Sequence, residues 1–243
     1  GQFGNKFFSG KEDIEELKKA LSELRNIARD TNKAEAKKIG ISESSAITCV
    51  KPSGTVSQLV GVSSGMHPWH SQYYIRTVRG DKKDPLTQFL SDSGIPYEDD
   101  VMKPNDTTVF SFPMKAPEGA ILRNDLTAIE HLNVWLAYQR NWCEHKPSIT
   151  VSVREDEWMA VGAWVWEHFD EVSGISFLPY SDHTYKQAPY QDCTEEEYLE
   201  ALAKMPTKIN WEVLSMYETE DTTTGTQALA CVAGECEIVD INA

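Results

Sequence analysis

The sequence predicts an α/β fold. Short β-branched or apolar runs alternate with long amphipathic stretches, and capping motifs open several of the helical stretches. The chain of 243 residues is 40% hydrophobic and 10% aromatic, enough for one large core or two small ones. The alternation argues for mostly parallel strands. The four or five strands in view do not close a barrel by themselves.

The elements follow in order. Ser9-Gly10-Lys11-Glu12 reads as a capping box. Ile14, Leu17, Leu21, Leu24 and Ile27 then form one apolar stripe, so a helix runs to about Lys38 and stops at Gly40. Ala46–Val50 reads as a strand. Gly61 to Gly80 is an irregular loop ending in a short strand, Tyr73–Val78. Asp84-Pro85 supplies an N-cap and a Pro at the first helical position, and Gly94 ends that helix. Thr107–Phe112 is a strand. Asn124–His145 is a long helix with Leu126, Ile129, Leu132, Leu136 and Trp142 inward, broken by Pro147. Ile149–Val153 is a strand and Glu155–Asp170 a helix carrying Trp158, Val161, Val165 and Phe169. Ile175–Leu178 is a short buried strand. Thr194 to Glu197 is a second capping box, and Ile209–Tyr217 a further helical piece. From about Glu220 the chain is polar and without a stripe, which predicts a mobile tail.

The net charge is −15, unevenly spread. Residues 194–243 hold 11 acids and 2 lysines, whereas residues 51–83 hold 5 basic residues and one Asp. The acidic end argues against nucleic acid as a partner of the whole chain. No stretch of about 18 apolar residues exists, so no membrane span is expected. Five cysteines in a chain this long do not read as a secreted disulfide scaffold, and a cytoplasmic location is expected. The missing initiator Met fits a processed or split product, or a chain that has merely been trimmed.

The segment Ala46 to Leu59 is the most informative. An apolar run ends in Lys51-Pro52, and Ser53-Gly54-Thr55 turns into a short periodic piece, Val56-Ser57-Gln58-Leu59. Unpaired N–H groups at a helix start, hydroxyls from Ser53, Thr55 and Ser57, and the freedom of Gly54 make Pro52–Ser57 a candidate phosphate seat. An ordinary helix cap is the alternative. Cys231 and Cys236, four residues apart around Gly234, can meet as a disulfide and exchange electrons with a partner. Idle thiols or half a zinc site remain the alternatives. His67 and His70 in His67-Pro68-Trp69-His70 read as packing or loop hydrogen bonds rather than metal ligands. Cys143 and Cys193 show no recognisable partner. The Trp158, Trp164 and Trp166 series reads as core or interface.

Several segments in order resemble the adenosylcobalamin-dependent (class II) ribonucleotide reductases. They are Ile47-Thr48-Cys49-Val50-Lys51-Pro52-Ser53-Gly54-Thr55-Val56-Ser57, Gly65-Met66-His67-Pro68, Tyr73-Tyr74-Ile75-Arg76, Ser176-Phe177-Leu178-Pro179, Gln187-Ala188-Pro189-Tyr190, and Ala230-Cys231 through Cys236-Glu237-Ile238. The resemblance covers the chain from about Gly40 onward. It implies the C-terminal half of a ten-stranded α/β barrel over residues 1–219 and a flexible redox tail over 220–243. It also implies reduction of a ribonucleoside di- or triphosphate by thiyl-radical chemistry with adenosylcobalamin. Pro52, Ser53, Gly54, Thr55, Val56 and Ser57 would hold the substrate phosphates. Cys231 and Cys236 would re-reduce the spent disulfide and then be reduced by a thioredoxin-type partner. The family's thiyl cysteine lies in an Asn-x-Cys-x-Glu context that this chain lacks, and Cys49 does not take that role. The expectation is therefore a C-terminal piece that needs the N-terminal portion of the reductase. The candidate late strand Ser148–Val153 has no Tyr, unlike the oxygen-dependent branch, which favours cobalamin. Two readings from other classes stand beside this one: a non-catalytic assembly subunit, and a stand-alone thiol oxidoreductase, for which Cys-x-x-Cys in a compact fold is the expected form.

Overall fold

The computed structural model describes residues 1–54, 56–180, 186–218, 226–228 and 238–240. In chain order the elements are α1 (Ile14–Ile39), α2 (Val56–Leu59), β1 (Tyr73–Asp81), α3 (Pro85–Asp92), β2 (Tyr97–Asp99), β3 (Thr107–Lys115), α4 (Ala128–Asn141), β4 (Ile149–Val153), α5 (Trp158–Glu167), β5 (Ile175–Pro179), β6 (Tyr190–Asp192), α6 (Glu195–Ala203), β7 (Thr226–Ala228) and β8 (Ile238–Asp240). The chain divides into two compact units. One is Gly1–Gln72 with Ala116–Asp182, and the other is Tyr73–Lys115 with His183–Ala243. The mixed α/β class holds.

The first unit is built on α1 and α4, with the parallel pair β4–β5 and α5. Leu17 and Leu21 of α1, Leu132, Trp135 and Tyr138 of α4, Val151 and Val153 of β4, and Val161 and Trp164 of α5 form one buried cluster with Phe3, Val50 and Met66. The 3.6-residue period of α4 turns Leu132 and Trp135 inward together, and the alternation of β4 buries Ile149, Val151 and Val153. Helix α1 is capped by Asp13, whose carboxylate accepts from the Glu15 and Glu16 amides, and it closes on Gly40 at φ 73°. The expected cap, Ser9, is buried. Its hydroxyl donates to the Lys6 carbonyl at 2.7 Å and accepts from the Lys11 amide at 3.4 Å, so it caps a turn that ends before α1 begins at Ile14.

The second unit is an antiparallel sheet of order β2-β3-β1-β6. Strands β1 and β3 pair over nine residues, Tyr73 opposite Lys115 to Asp81 opposite Thr107. Asp84 caps α3 and Thr194 with Glu197 boxes α6, as the local pattern predicts. Gln187, at φ 61°, is buried and ties the sheet end together. Its side chain accepts from the Val101 amide and donates to Glu98 and to the Asp99 carbonyl, while Arg79 donates to its own carbonyl. Strands β7 and β8 pair antiparallel.

Several expectations are corrected. Among the described residues only β4–β5 is parallel; the other ladders are antiparallel. Residues 46–50 form no strand, because the loop after α4 takes their backbone groups: Ile47 N–H donates to Glu144 Oε2, and the Thr48 carbonyl accepts from the Glu144 and His145 amides. The helix expected from Asn124 starts at Ala128, because Thr127 and Glu130 form a capping box there; Arg123–Asp125 is a separate 3-10 turn. Glu155–Asp170 resolves into a 3-10 turn and α5, ending at Glu167, with Phe169 and Trp166 exposed. Leu24 and Ile27 are exposed, since α1 runs on past the core it packs against. Strand β5 is at most half-buried, and Ile209–Tyr217 contains a 3-10 helix at Trp211–Met216 rather than an α-helix. Among the described residues, no helix is long and apolar enough to cross a membrane.

Candidate functional site

The candidate phosphate turn lies in the first unit. The extended segment that leads to it is pinned from behind. Glu144 accepts from the Ile47 amide at 2.8 Å, the Thr48 hydroxyl donates to the Trp142 carbonyl at 2.6 Å, and Arg29 Nε sits 2.9 Å from Glu144 Oε1. The Ile47 amide, then the Thr48 amide and the Arg29 guanidinium, hold the Glu144 carboxyl below its ordinary value. Val50 is buried, and the chain surfaces at Lys51.

Pro52, Ser53, Gly54 and Val56 are all exposed, so the turn faces solvent rather than packing under other side chains. Gly54 turns at φ 59°. Helix α2 is a single turn, and Val56 N–H bonds to the Ser53 carbonyl at 3.3 Å. Ser57 departs from the expectation of an outward hydroxyl: it is 3% exposed, and its Oγ is buried without a hydrogen-bond partner. Thr55 lies outside the described residues.

A second loop braces the turn. Ser53 N–H donates to Ser64 Oγ at 2.9 Å. Gly65, at φ 53°, passes so close that a Cβ there would stand 2.9 Å from the Lys51 carbonyl oxygen. His67 fastens this loop to β4. Ile149 N–H faces β5, so Thr150 N–H faces away, and it donates to His67 Nε2 at 2.9 Å. With Nε2 accepting, Nδ1 carries the proton and donates to the Ser64 carbonyl at 2.9 Å. Burial pushes the His67 pKa down, which agrees with this neutral form. Its ring lies 6.4 Å from that of His131, whose Nε2 bonds the Met66 carbonyl at 2.7 Å. Lys51 Nζ bonds Ser148 Oγ, which places one ammonium beside the turn on the face that carries β4.

The structure thus brings together Pro52, Ser53, Gly54, Val56 and, beneath them, Ser57. Cys231 and Cys236 lie outside the described residues. Sequence reasoning missed that Ser64 and His67 brace this turn and that Lys51 pairs with Ser148. The signal available was the pair of glycines, Gly54 and Gly65, eleven residues apart, each reserved for a left-handed turn. His67 makes the loop hydrogen bonds that its sequence context suggested, to the Ser64 carbonyl and from the Thr150 amide. Gln187-Ala188-Pro189-Tyr190 serves the second unit's sheet.

Comparison with known proteins adds the following. No protein-family profile matches the chain. The adenosylcobalamin-dependent ribonucleoside-triphosphate reductase of Euglena gracilis is 32% identical over 194 residues, 79% of this chain and 27% of that protein. Its namesake from Lactobacillus gasseri is 30% identical over 190 residues, 76% of this chain and 25% of that protein. The namesake from Levilactobacillus brevis is 33% identical over 164 residues, 66% and 22%. A solved B12-dependent (class II) ribonucleotide reductase superposes with a TM-score of 0.70 at 27% identity, covering 85% of this chain and 29% of that one. The chain therefore spans about a quarter of the length of the curated relatives it matches. By the sequence of most of its length and the fold of that stretch, the chain belongs to the adenosylcobalamin-dependent (class II) ribonucleotide reductase family.

Proposed function

We propose that this chain is the C-terminal part of a cobalamin-dependent ribonucleoside-triphosphate reductase, and that the turn Pro52–Ser57 seats the substrate phosphates. One observation carries the seat: the turn is solvent-facing, left-handed at Gly54, and braced by Ser64 and His67 rather than covered. An anion docked there meets the Gly54 amide, the Ser53 hydroxyl and the Lys51 ammonium, while the Ser53 amide is held by Ser64. In a chain of net charge −15, that ammonium matters for attracting a polyphosphate.

The relatives are named for adenosylcobalamin, and we assign that cofactor to the complete enzyme, where it would supply the radical chemistry. The two best-formed clefts among the described residues, ≈ 180 and ≈ 200 Å³ on the first unit, fall below the roughly 300 Å³ that a drug-sized ligand takes, so neither holds that cofactor by itself. Completion of a ten-stranded barrel by the remainder of the reductase accords with the apolar side chains that α5 and its end leave open, Met159, Trp166 and Phe169. Reduction of the ribonucleotide leaves a disulfide in the enzyme. Cys231 and Cys236 give it two electrons and two protons, become a disulfide themselves, and are returned to thiols by a thioredoxin-type protein.

Two measurements test this in the complete reductase. Ser53→Ala should raise KM for the nucleotide about tenfold or more, because a hydrogen bond to a charged group contributes about 1.5–3 kcal/mol; an unchanged KM removes the seat. Cys231→Ser with Cys236→Ser should abolish turnover driven by thioredoxin and spare turnover driven by a small dithiol, which needs no tail. Equal loss with both reductants removes the shuttle.

A further inference from the structure

The loop after α4 folds back over Cys49. Trp142 Nε1 donates to the Cys49 carbonyl at 3.2 Å, and the Cys49 thiol reaches the carbonyls of His145 at 3.6 Å and Lys146 at 3.7 Å. The Glu144 amide donates to the Thr48 carbonyl at 2.8 Å. Cys143 is the residue in the middle of this loop, between Trp142 and Glu144, and it is buried. The peptide that follows Cys143 is thus bonded to the peptide that precedes Cys49, which sets the two cysteines side by side. The Val50 amide and the Cys49 thiol lie near enough to the Cys143 thiol to influence its proton affinity. Both sulfurs are free thiols. Cys49 is half-buried and lines a cleft of ≈ 200 Å³ shared with Gln2, Phe8, Leu21, Tyr138 and Trp142, so its sulfur can be reached from solvent without the whole reagent entering.

We propose that Cys49 and Cys143 are a redox-active pair that closes to an intrachain disulfide on exchange with a low-molecular-weight disulfide of the glutathione class. The Cys49 thiolate attacks one sulfur of the reagent, forming a mixed disulfide and expelling one reagent thiol. Cys143 then loses its proton to solvent and attacks the Cys49 sulfur, expelling the second. Two protein thiols are oxidised, and one disulfide is reduced to two thiols. Exposure sets the order. Cys49 faces the cleft, whereas burial pushes the Cys143 thiol up to about 12, so it stays protonated and does not attack first. The product clamps the segment that leads into the turn at Pro52 to the end of α4. The pairing rests on these contacts and stands whether or not the turn seats a phosphate.

The test is peptide mapping of the full chain in a Cys231→Ser, Cys236→Ser background, after incubation with excess oxidised glutathione, acid quench and alkylation. The expected product is one linked peptide pair joining Cys49 to Cys143, two hydrogen masses below the sum of its parts and released by dithiothreitol. Cys143→Ser should stop the sequence at a stable glutathione adduct on Cys49. Persistence of that adduct in the unsubstituted pair with Cys143 still alkylatable overturns the proposal, and so does recovery of both thiols unmodified.

Discussion

Replacing Trp135 by Ala should lower the folding free energy by about 3–5 kcal/mol, the range for removing a large buried aromatic. Trp135 is fully buried on α4 and packs edge-on against Trp164 of α5 with ring centroids 6.4 Å apart. Its Nε1 donates to the Pro147 carbonyl at 3.2 Å. That carbonyl is already crowded, since a Cβ at Gly174 would stand 2.7 Å from it. The next residue, Ser148, holds Lys51, so Trp135 supports the strand entry from which the candidate site is built. Trp135→Phe separates the two contributions. It keeps most of the packing and leaves the Pro147 carbonyl without its donor, which should cost about 1–3 kcal/mol. Urea unfolding of the two variants reads both numbers. A loss under about 1 kcal/mol for the Ala variant would show that the unit's core does not depend on this ring. Because a typical domain is stable by only about 5–15 kcal/mol, the Ala variant should also unfold at markedly lower temperature.

Acidification from pH 6.5 to about 4 should remove about 3 kcal/mol of stability through His131 alone. Burial, first of all, pushes this imidazole down to about 4, with the nearby His67 acting in the same direction and the Met66 carbonyl against it. The folded state therefore refuses a proton that the unfolded chain accepts near pH 6.5. Between those two values the unfolded state binds more protons, so stability falls as pH falls, by about 1.36 kcal/mol per unit. His67, also lowered, adds to the same slope. His131→Gln retains a donor for the Met66 carbonyl and has no titrating ring, so its stability should vary less over this window by about one proton. An identical pH slope in the variant and the parent would refute the assignment. The consequence reaches the candidate site, because protonating His67 gives Nε2 a hydrogen where it now accepts from Thr150, and the brace between Ser64 and β4 opens.

Much of the local structure was legible because it depends on neighbours in sequence. Asp84-Pro85 and Thr194 with Glu197 mark helix starts that fold as read, since a cap bonds amides two or three residues away. Ile149–Val153 is a strand with the predicted ends. Where two local signals competed, the reading failed. Asp13 captured the start of α1 from Ser9, and the Thr127–Glu130 box ended the extrapolation of α4 back to Asn124. The exposed end of the α1 stripe, Leu24 and Ile27, was invisible because periodicity gives a face but not what covers it. The strand expected at 46–50 failed for a related reason. An apolar β-branched run states a preference for extended backbone, and only a partner strand makes a ladder of it.

The amino-acid sequence alone determined the family, the turn Pro52-Ser53-Gly54 as an anion candidate and the element types of most of the chain, because motifs and caps are written in adjacent residues. Tertiary structure decided which strands pair antiparallel, that Ser57 points inward, that His67 and Ser64 brace the turn, and that the loop carrying Cys143 lies beside Cys49. Those outcomes join residues tens of positions apart. Their partners are chosen by packing and by the need to satisfy buried polar groups, and no local pattern encodes that choice.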